Sequence, residues 1–133
     1  MIIRTSRLGV FRASLLIGLL LVPFTVAPAQ QGVSRRVRFP RGRSSVTIKG
    51  AVVRGTADDY LLGARSGQKM TVRIKSVEGN AVFNIYRVTE EGDSVIVAES
   101  TNWNGALPED GDYRIEVGPT RGNATYTLYV TIR

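Results

Sequence analysis

From Arg35 to Arg133, apolar and polar residues alternate in short runs broken by Gly, Asn, Asp and Pro. A period of two is the mark of half-buried strands. The clearest run is 69–75, where Met70, Val72 and Ile74 share one face and Lys69, Thr71, Arg73 and Lys75 the other. A helix would scatter those charges around its circumference. The last run follows the same rule, with Tyr126, Leu128, Val130 and Ile132 inward and Thr125, Thr127, Tyr129 and Thr131 outward. Its β-branched and aromatic content suits a pleated surface. Further strands are predicted over 46–53, 59–64, 81–88, 95–100 and 113–117. Ser66-Gly67, Gly79-Asn80, Glu91-Gly92-Asp93, Asp110-Gly111 and Gly122-Asn123 supply turns, each with a residue that tolerates positive φ or folds its side chain onto its own backbone.

Seven or eight short strands, spaced by about ten residues, predict an all-β fold: an antiparallel β-sandwich of jelly-roll-like order. The predicted core is Val37, Phe39, Val46, Ile48, Val52, Tyr60, Leu62, Met70, Val72, Ile74, Phe83, Ile85, Ile96, Ala98, Leu107, Tyr113, Ile115, Val117, Tyr126, Leu128, Val130 and Ile132. Each large side chain in it contributes about 1.5–3 kcal/mol when fully buried. Little apolar material is then left to line a deep cavity, which directs function to a surface or a loop.

The N-terminal segment breaks the alternation. Arg4, Arg7 and Arg12 precede an apolar run over 13–22, and Ala27-Pro28-Ala29 sits just before Gln30. A basic stretch, a short apolar stretch and a small-x-small site form a secretory signal peptide. The apolar run is shorter than the roughly 20 residues of a bilayer span, and Pro23 ends it. An anchor that is never cut is the alternative. The signal reading divides the chain into a helical signal peptide over 1–29, a linker over 30–34 and a β-sandwich domain over 35–133. It places the protein in the periplasm or outside the cell, with no stable membrane span after cleavage.

After Ala29, 104 of the 133 residues remain, enough to bury about two-thirds of the unfolded surface without metal or disulfide. The chain has neither Cys nor His. Serine–histidine hydrolysis, cysteine nucleophiles, zinc sites and thiol redox chemistry are thereby excluded. The formal charge of +7 falls to +4 once Arg4, Arg7 and Arg12 are set aside. Five of the remaining cations, Arg35, Arg36, Arg38, Arg41 and Arg43, lie within nine positions. Elsewhere the charges nearly balance, so this reads as a neutral domain with a basic arm.

Four features hold candidate chemistry. The arginine cluster would engage anionic envelope polymers or lipid head groups, each charge contributing about 1 kcal/mol near an anionic surface. Alternatively, Arg36 and Arg38 are the solvent face of an edge strand, where charge blocks edge-to-edge association. Nucleic acid is not an expected partner, since no aromatic platform interleaves with these arginines. Acidic residues gather at Asp58-Asp59 and Glu109-Asp110-Gly111-Asp112, yet neither has the ligand spacing of a Ca²⁺ loop, and Asp beside Gly is ordinary turn chemistry. Trp103, in the polar stretch Asn102-Trp103-Asn104-Gly105, is either a sugar platform or protein contact on a loop, or a cover for one end of the core. Arg121 stands in Val117-Gly118-Pro119-Thr120-Arg121-Gly122-Asn123-Ala124, which joins the last two strands. A guanidinium on a stiff protruding loop suits a carboxylate-lined cleft, where it pairs bidentately; the alternative is a plain hairpin with a solvated arginine.

Several segments together carry a family resemblance. Phe39-Pro40-Arg41-Gly42-Arg43-Ser44-Ser45 leads into a strand, and Asp59-Tyr60-Leu61-Leu62-Gly63-Ala64 precedes Gly67-Gln68-Lys69-Met70-Thr71-Val72. Leu107-Pro108-Glu109-Asp110-Gly111-Asp112-Tyr113-Arg114-Ile115 and Tyr126-Thr127-Leu128 follow. This order resembles the bacterial periplasmic inhibitors of goose-type lysozyme and, more distantly, the pre-peptidase C-terminal β-sandwich domains. The resemblance implies a small exported protein that inserts an arginine-bearing loop into a muramidase groove, with Arg121 and Thr120 in the corresponding place. The family's loop is longer and more basic, whereas this one reaches Tyr126 after only Gly122 to Thr125. The looser relatives imply a carbohydrate-binding or peptidase-accessory module.

The expected function is therefore binding rather than catalysis, without a cofactor or a metal. The candidate contact residues are Arg121, Thr120, Trp103, Arg41 and Arg43. The expected partner is a protein, a goose-type lysozyme first, with an envelope glycan as the second candidate.

Overall fold

Period-two alternation closes into two layers of strand. The computed structural model describes Pro23 and residues 32–133; apart from Pro23, the predicted signal peptide lies outside the described residues. Nine strands follow: β1 (Ser34–Arg36), β2 (Ser45–Val52), β3 (Asp58–Ala64), β4 (Lys69–Ser76), β5 (Ala81–Thr89), β6 (Gly92–Ser100), β7 (Asn102–Ala106), β8 (Gly111–Pro119) and β9 (Ala124–Ile132). One sheet has five strands in the order β1-β3-β8-β5-β6, the other four in the order β2-β9-β4-β7. Every pairing is antiparallel except β1 with β3, which is parallel.

The all-β sandwich expected from the alternation is present, with two strands more than the clearest runs suggest. β1 already pairs with β3 at Ser34, inside the stretch expected to be linker. β7 occupies 102–106, expected to be a polar loop; it pairs antiparallel with β4, Trp103 opposite Val72. Runs of three and five residues are too short to establish a period, which is why the local pattern hides them.

The two inward faces share one core, from Val37 to Ile132, with Leu62, Phe83, Tyr113, Ile115 and Leu128 fully enclosed. Most predicted core positions lie there. Phe39, Val46 and Ile96 are partly buried against it, and Ala81 and Ala124 join it. Ala98 is a correction: it is exposed, and Val97 packs on the core instead. The cause is an irregular register between β5 and β6, shifted on both sides of Ile85. Glu99 there takes φ 49°, and its N–H donates to Asn84 Oδ1 at 2.7 Å. A bulge of this kind exchanges the faces of the residues beyond it.

Candidate functional site

The site residues expected from the sequence fall into three separate places. Thr120 and Arg121 lie in the four-residue connection from β8 to β9, at one end of the sandwich. Arg41 and Arg43 lie in the turn before β2, whose first residue pairs with Thr131 at the far end of β9. β9 is nine residues long, so roughly 30 Å of strand separates the two ends. Trp103 sits between them, on the lateral edge strand of the four-stranded sheet. Its side chain is partly buried against the core, and its ring lies against Gly105, where no side chain competes for the space.

At the Arg121 end, three turns converge. The Thr120 N–H donates to the Asn80 carbonyl at 2.8 Å. The Asn80 carboxamide, only 2% exposed, donates to the carbonyls of Arg121 at 3.1 Å and Asn123 at 3.0 Å. Asn123 Oδ1 in turn accepts the Arg54 N–H at 2.9 Å. One buried amide thus ties the β8–β9 connection to the β4–β5 turn, while Asn123 ties it to the β2–β3 turn. Thr120 and Arg121 remain exposed. The Arg121 guanidinium folds back, donating through Nη2 to the Glu78 carbonyl at 3.0 Å. A depression of about 380 Å³ lies beside it, lined in part by Val53, Val77, Glu78, Asn80 and Asn123.

The arginine cluster is not a free arm. β1 is docked as an edge strand, with Arg36 bonded to Asp112 at 2.6 Å and the Arg35 guanidinium 5.3 Å from the Tyr60 ring centre. Arg38, Arg41 and Arg43 are exposed beyond it.

The acidic residues are taken up by the fold. Asp110 accepts the Ser66 N–H at 2.7 Å, and Glu109 pairs with Arg87. Asp58, 2% exposed, accepts the Val33 N–H at 2.8 Å and the Tyr126 hydroxyl at 2.6 Å. Tyr126 also meets the Tyr60 hydroxyl, so a polar chain crosses the core from sheet to sheet. Burial, then the bonds to Asp58 and Tyr60, holds the Tyr126 hydroxyl far above its ordinary value. Burial likewise raises Tyr60, against its hydrogen bond with Tyr126, which lowers it. Asp59 belongs to a second cluster, on the outer face of the five-stranded sheet. There Arg114 donates to Asp93 at 2.7 Å, Glu116 at 2.8 Å and Asp59 at 3.1 Å, and lies 4.3 Å from the Tyr86 ring centre. Burial alone would raise Glu116, but the bonds from Asn84 and Arg114 and the Arg114 charge outweigh it and hold the carboxyl low. Among the described residues, no group of three or more acidic side chains is placed to hold a metal ion.

Sequence reasoning passed over Asn80, which reads as ordinary turn chemistry after Gly79. It also passed over the buried side of Asp58, although the phase shared with Tyr60 and Leu62 marks that position as inward.

No protein-family model matches the chain, and no curated protein matches it significantly. Solved structures do. The periplasmic lysozyme inhibitor of g-type lysozyme from Aeromonas hydrophila is 29% identical, with a TM-score of 0.69, over 78% of this chain and 100% of that one. The corresponding inhibitor from Salmonella Typhimurium is 22% identical, with a TM-score of 0.61, over 77% and 99%. The pre-peptidase C-terminal domain of a Bacillus anthracis collagenase is 18% identical, with a TM-score of 0.54, over 75% and 96%. At these lower identities the likeness is one of fold alone. The resemblance carried by the sequence segments is thus met in three dimensions: this chain is similar to the periplasmic inhibitors of g-type lysozyme and shares their β-sandwich with a pre-peptidase C-terminal domain.

Proposed function

We propose that this is an exported binding protein that inhibits a goose-type lysozyme by presenting Arg121 to the enzyme's active-site carboxylates. The observation that carries the reading is the match to the Aeromonas hydrophila inhibitor, which spans the whole of that chain. The local geometry supports it. Pro119 and the Asn80 amide stiffen the connection at both shoulders, so presenting Thr120 and Arg121 orders few additional residues. The guanidinium bonds a neutral carbonyl in the free protein. A bidentate carboxylate is a stronger acceptor, and leaving Glu78 for it is favourable. The reading includes cleavage after Ala29 and residence in the periplasm or beyond.

The test is lysis of a cell-wall suspension by purified goose-type lysozyme, titrated with this protein. The wild type is expected to suppress lysis, and Arg121→Ala to weaken suppression by about tenfold or more. No suppression by the wild type in molar excess overturns the proposal. Equal suppression by both proteins removes Arg121 from it.

A further inference from the structure

The two sheets divide the charge of the molecule between them. β2, β4, β7 and β9 contain no Asp or Glu, whereas Asp58, Asp59, Asp93, Glu99, Asp112 and Glu116 all lie on strands of the other sheet. Among the described residues, each ion pair lies on the five-stranded sheet or its loops.

Register places the outward side chains of the four-stranded sheet in rows. Lys49, Thr127 and Lys75 form one row across β2, β9 and β4. Thr47, Tyr129, Arg73 and Asn102 form the next, and Ser45, Thr131, Thr71 and Asn104 the third. Lys49 and Lys75 stand two strands apart, about 10 Å, and successive rows are about 7 Å apart. Lys49, Lys69, Arg73 and Lys75 are exposed, and none joins an ion pair among the described residues. Tyr129, 39% exposed, lies near the middle. A depression of about 400 Å³ opens between Lys49 and Lys75, over Gly50 and beside Val77.

A sheet face that only met water would be served by charges of both signs, as the opposite sheet is. Cations without counter-charges repel one another, and a polyanion relieves that repulsion. The remaining groups narrow the class of polyanion. Threonine hydroxyls and asparagine amides are complementary to a partner that is itself hydroxylated. One half-exposed tyrosine ring offers a stacking surface. Apart from Tyr129, the rows hold no large apolar side chain to enter a bilayer.

We propose that the outer face of the β2-β9-β4-β7 sheet binds an acidic polysaccharide, a chain of carboxylate-bearing sugars laid across the rows of Lys49, Lys75 and Arg73. This face is separate from the Arg121 end, so the proposal stands or falls independently of lysozyme inhibition.

Binding of the purified protein to polygalacturonate tests it, with neutral dextran, phosphatidylglycerol vesicles and duplex DNA as comparisons. The wild type is expected to bind polygalacturonate in preference to the other three, and more weakly as salt rises. Lys49→Glu with Lys75→Glu is expected to lower that affinity by about tenfold or more, while Arg54→Glu with Arg65→Glu, the same charge change off this face, changes it less than about threefold. Thermal unfolding of both double variants confirms that they fold. No binding to polygalacturonate, equal loss from both double variants, or tighter binding to vesicles or DNA overturns the proposal.

Discussion

Tyr126 shows how much one hydroxyl can hold. It joins Asp58 and Tyr60 across the core, and its ring leans over Gly50, where an added Cβ would lie 2.5 Å from the hydroxyl oxygen. A carboxylate this buried is tolerated only because it is hydrogen-bonded. Tyr126→Phe keeps the packing but leaves Asp58 with the Val33 amide as its one remaining partner among the described residues. Chemical denaturation is expected to show a loss of about 1–3 kcal/mol. An unchanged midpoint would mean that water replaces the hydroxyl without cost. Gly50→Ala should destabilise by the same route, since the tyrosine must move. The inward direction of these side chains is legible from alternation alone. Their contact is not, because Tyr60 and Tyr126 are 66 positions apart in the chain.

Among the elements, the β8–β9 connection owes its shape to a residue outside it. Asn80→Ala removes both carboxamide donors from the carbonyls of Arg121 and Asn123. It is expected to lower stability by about 1–2 kcal/mol and to speed amide hydrogen exchange over 120–123. Exchange at the wild-type rate would show that Pro119 and the strand ends suffice. Long alternating elements such as β4 and β9 could be read directly from the sequence. β1 and β7 could not, since three and five residues are too few to establish a period. The β6 bulge defeats the pattern differently: an inserted residue reverses the faces beyond it, which moves Ala98 outward and Val97 inward.

At the scale of the whole molecule, stability should fall at both ends of the pH range. Tyr126, Tyr60 and Tyr86 have folded values raised above the ordinary one of about 10. Their contribution is complete below that value and is lost as pH rises through the folded one, because the unfolded chain releases protons first. Glu116 is lowered; its contribution is present above its unfolded value near 4.5 and is lost as pH falls through the folded one. Melting temperatures from about pH 3 to 11 should trace a dome. Tyr126→Phe should flatten the alkaline limb, and Glu116→Gln the acid limb. A limb unaffected by its variant would assign that fall to other groups. The chain order of polar and apolar residues was enough to establish an all-β sandwich, its inward faces and a chemistry without thiol or imidazole. Side chains at i and i+2 share a face whatever strand lies beside them, and composition needs no fold at all. Which turns meet at one end, that Arg121 and Arg43 lie at opposite ends, and that one sheet gathers cations that join no ion pair among the described residues came from the strand order. That order is set by pairings between distant segments, such as Ser45 with Thr131 and Asp58 with Val117, which no local period encodes.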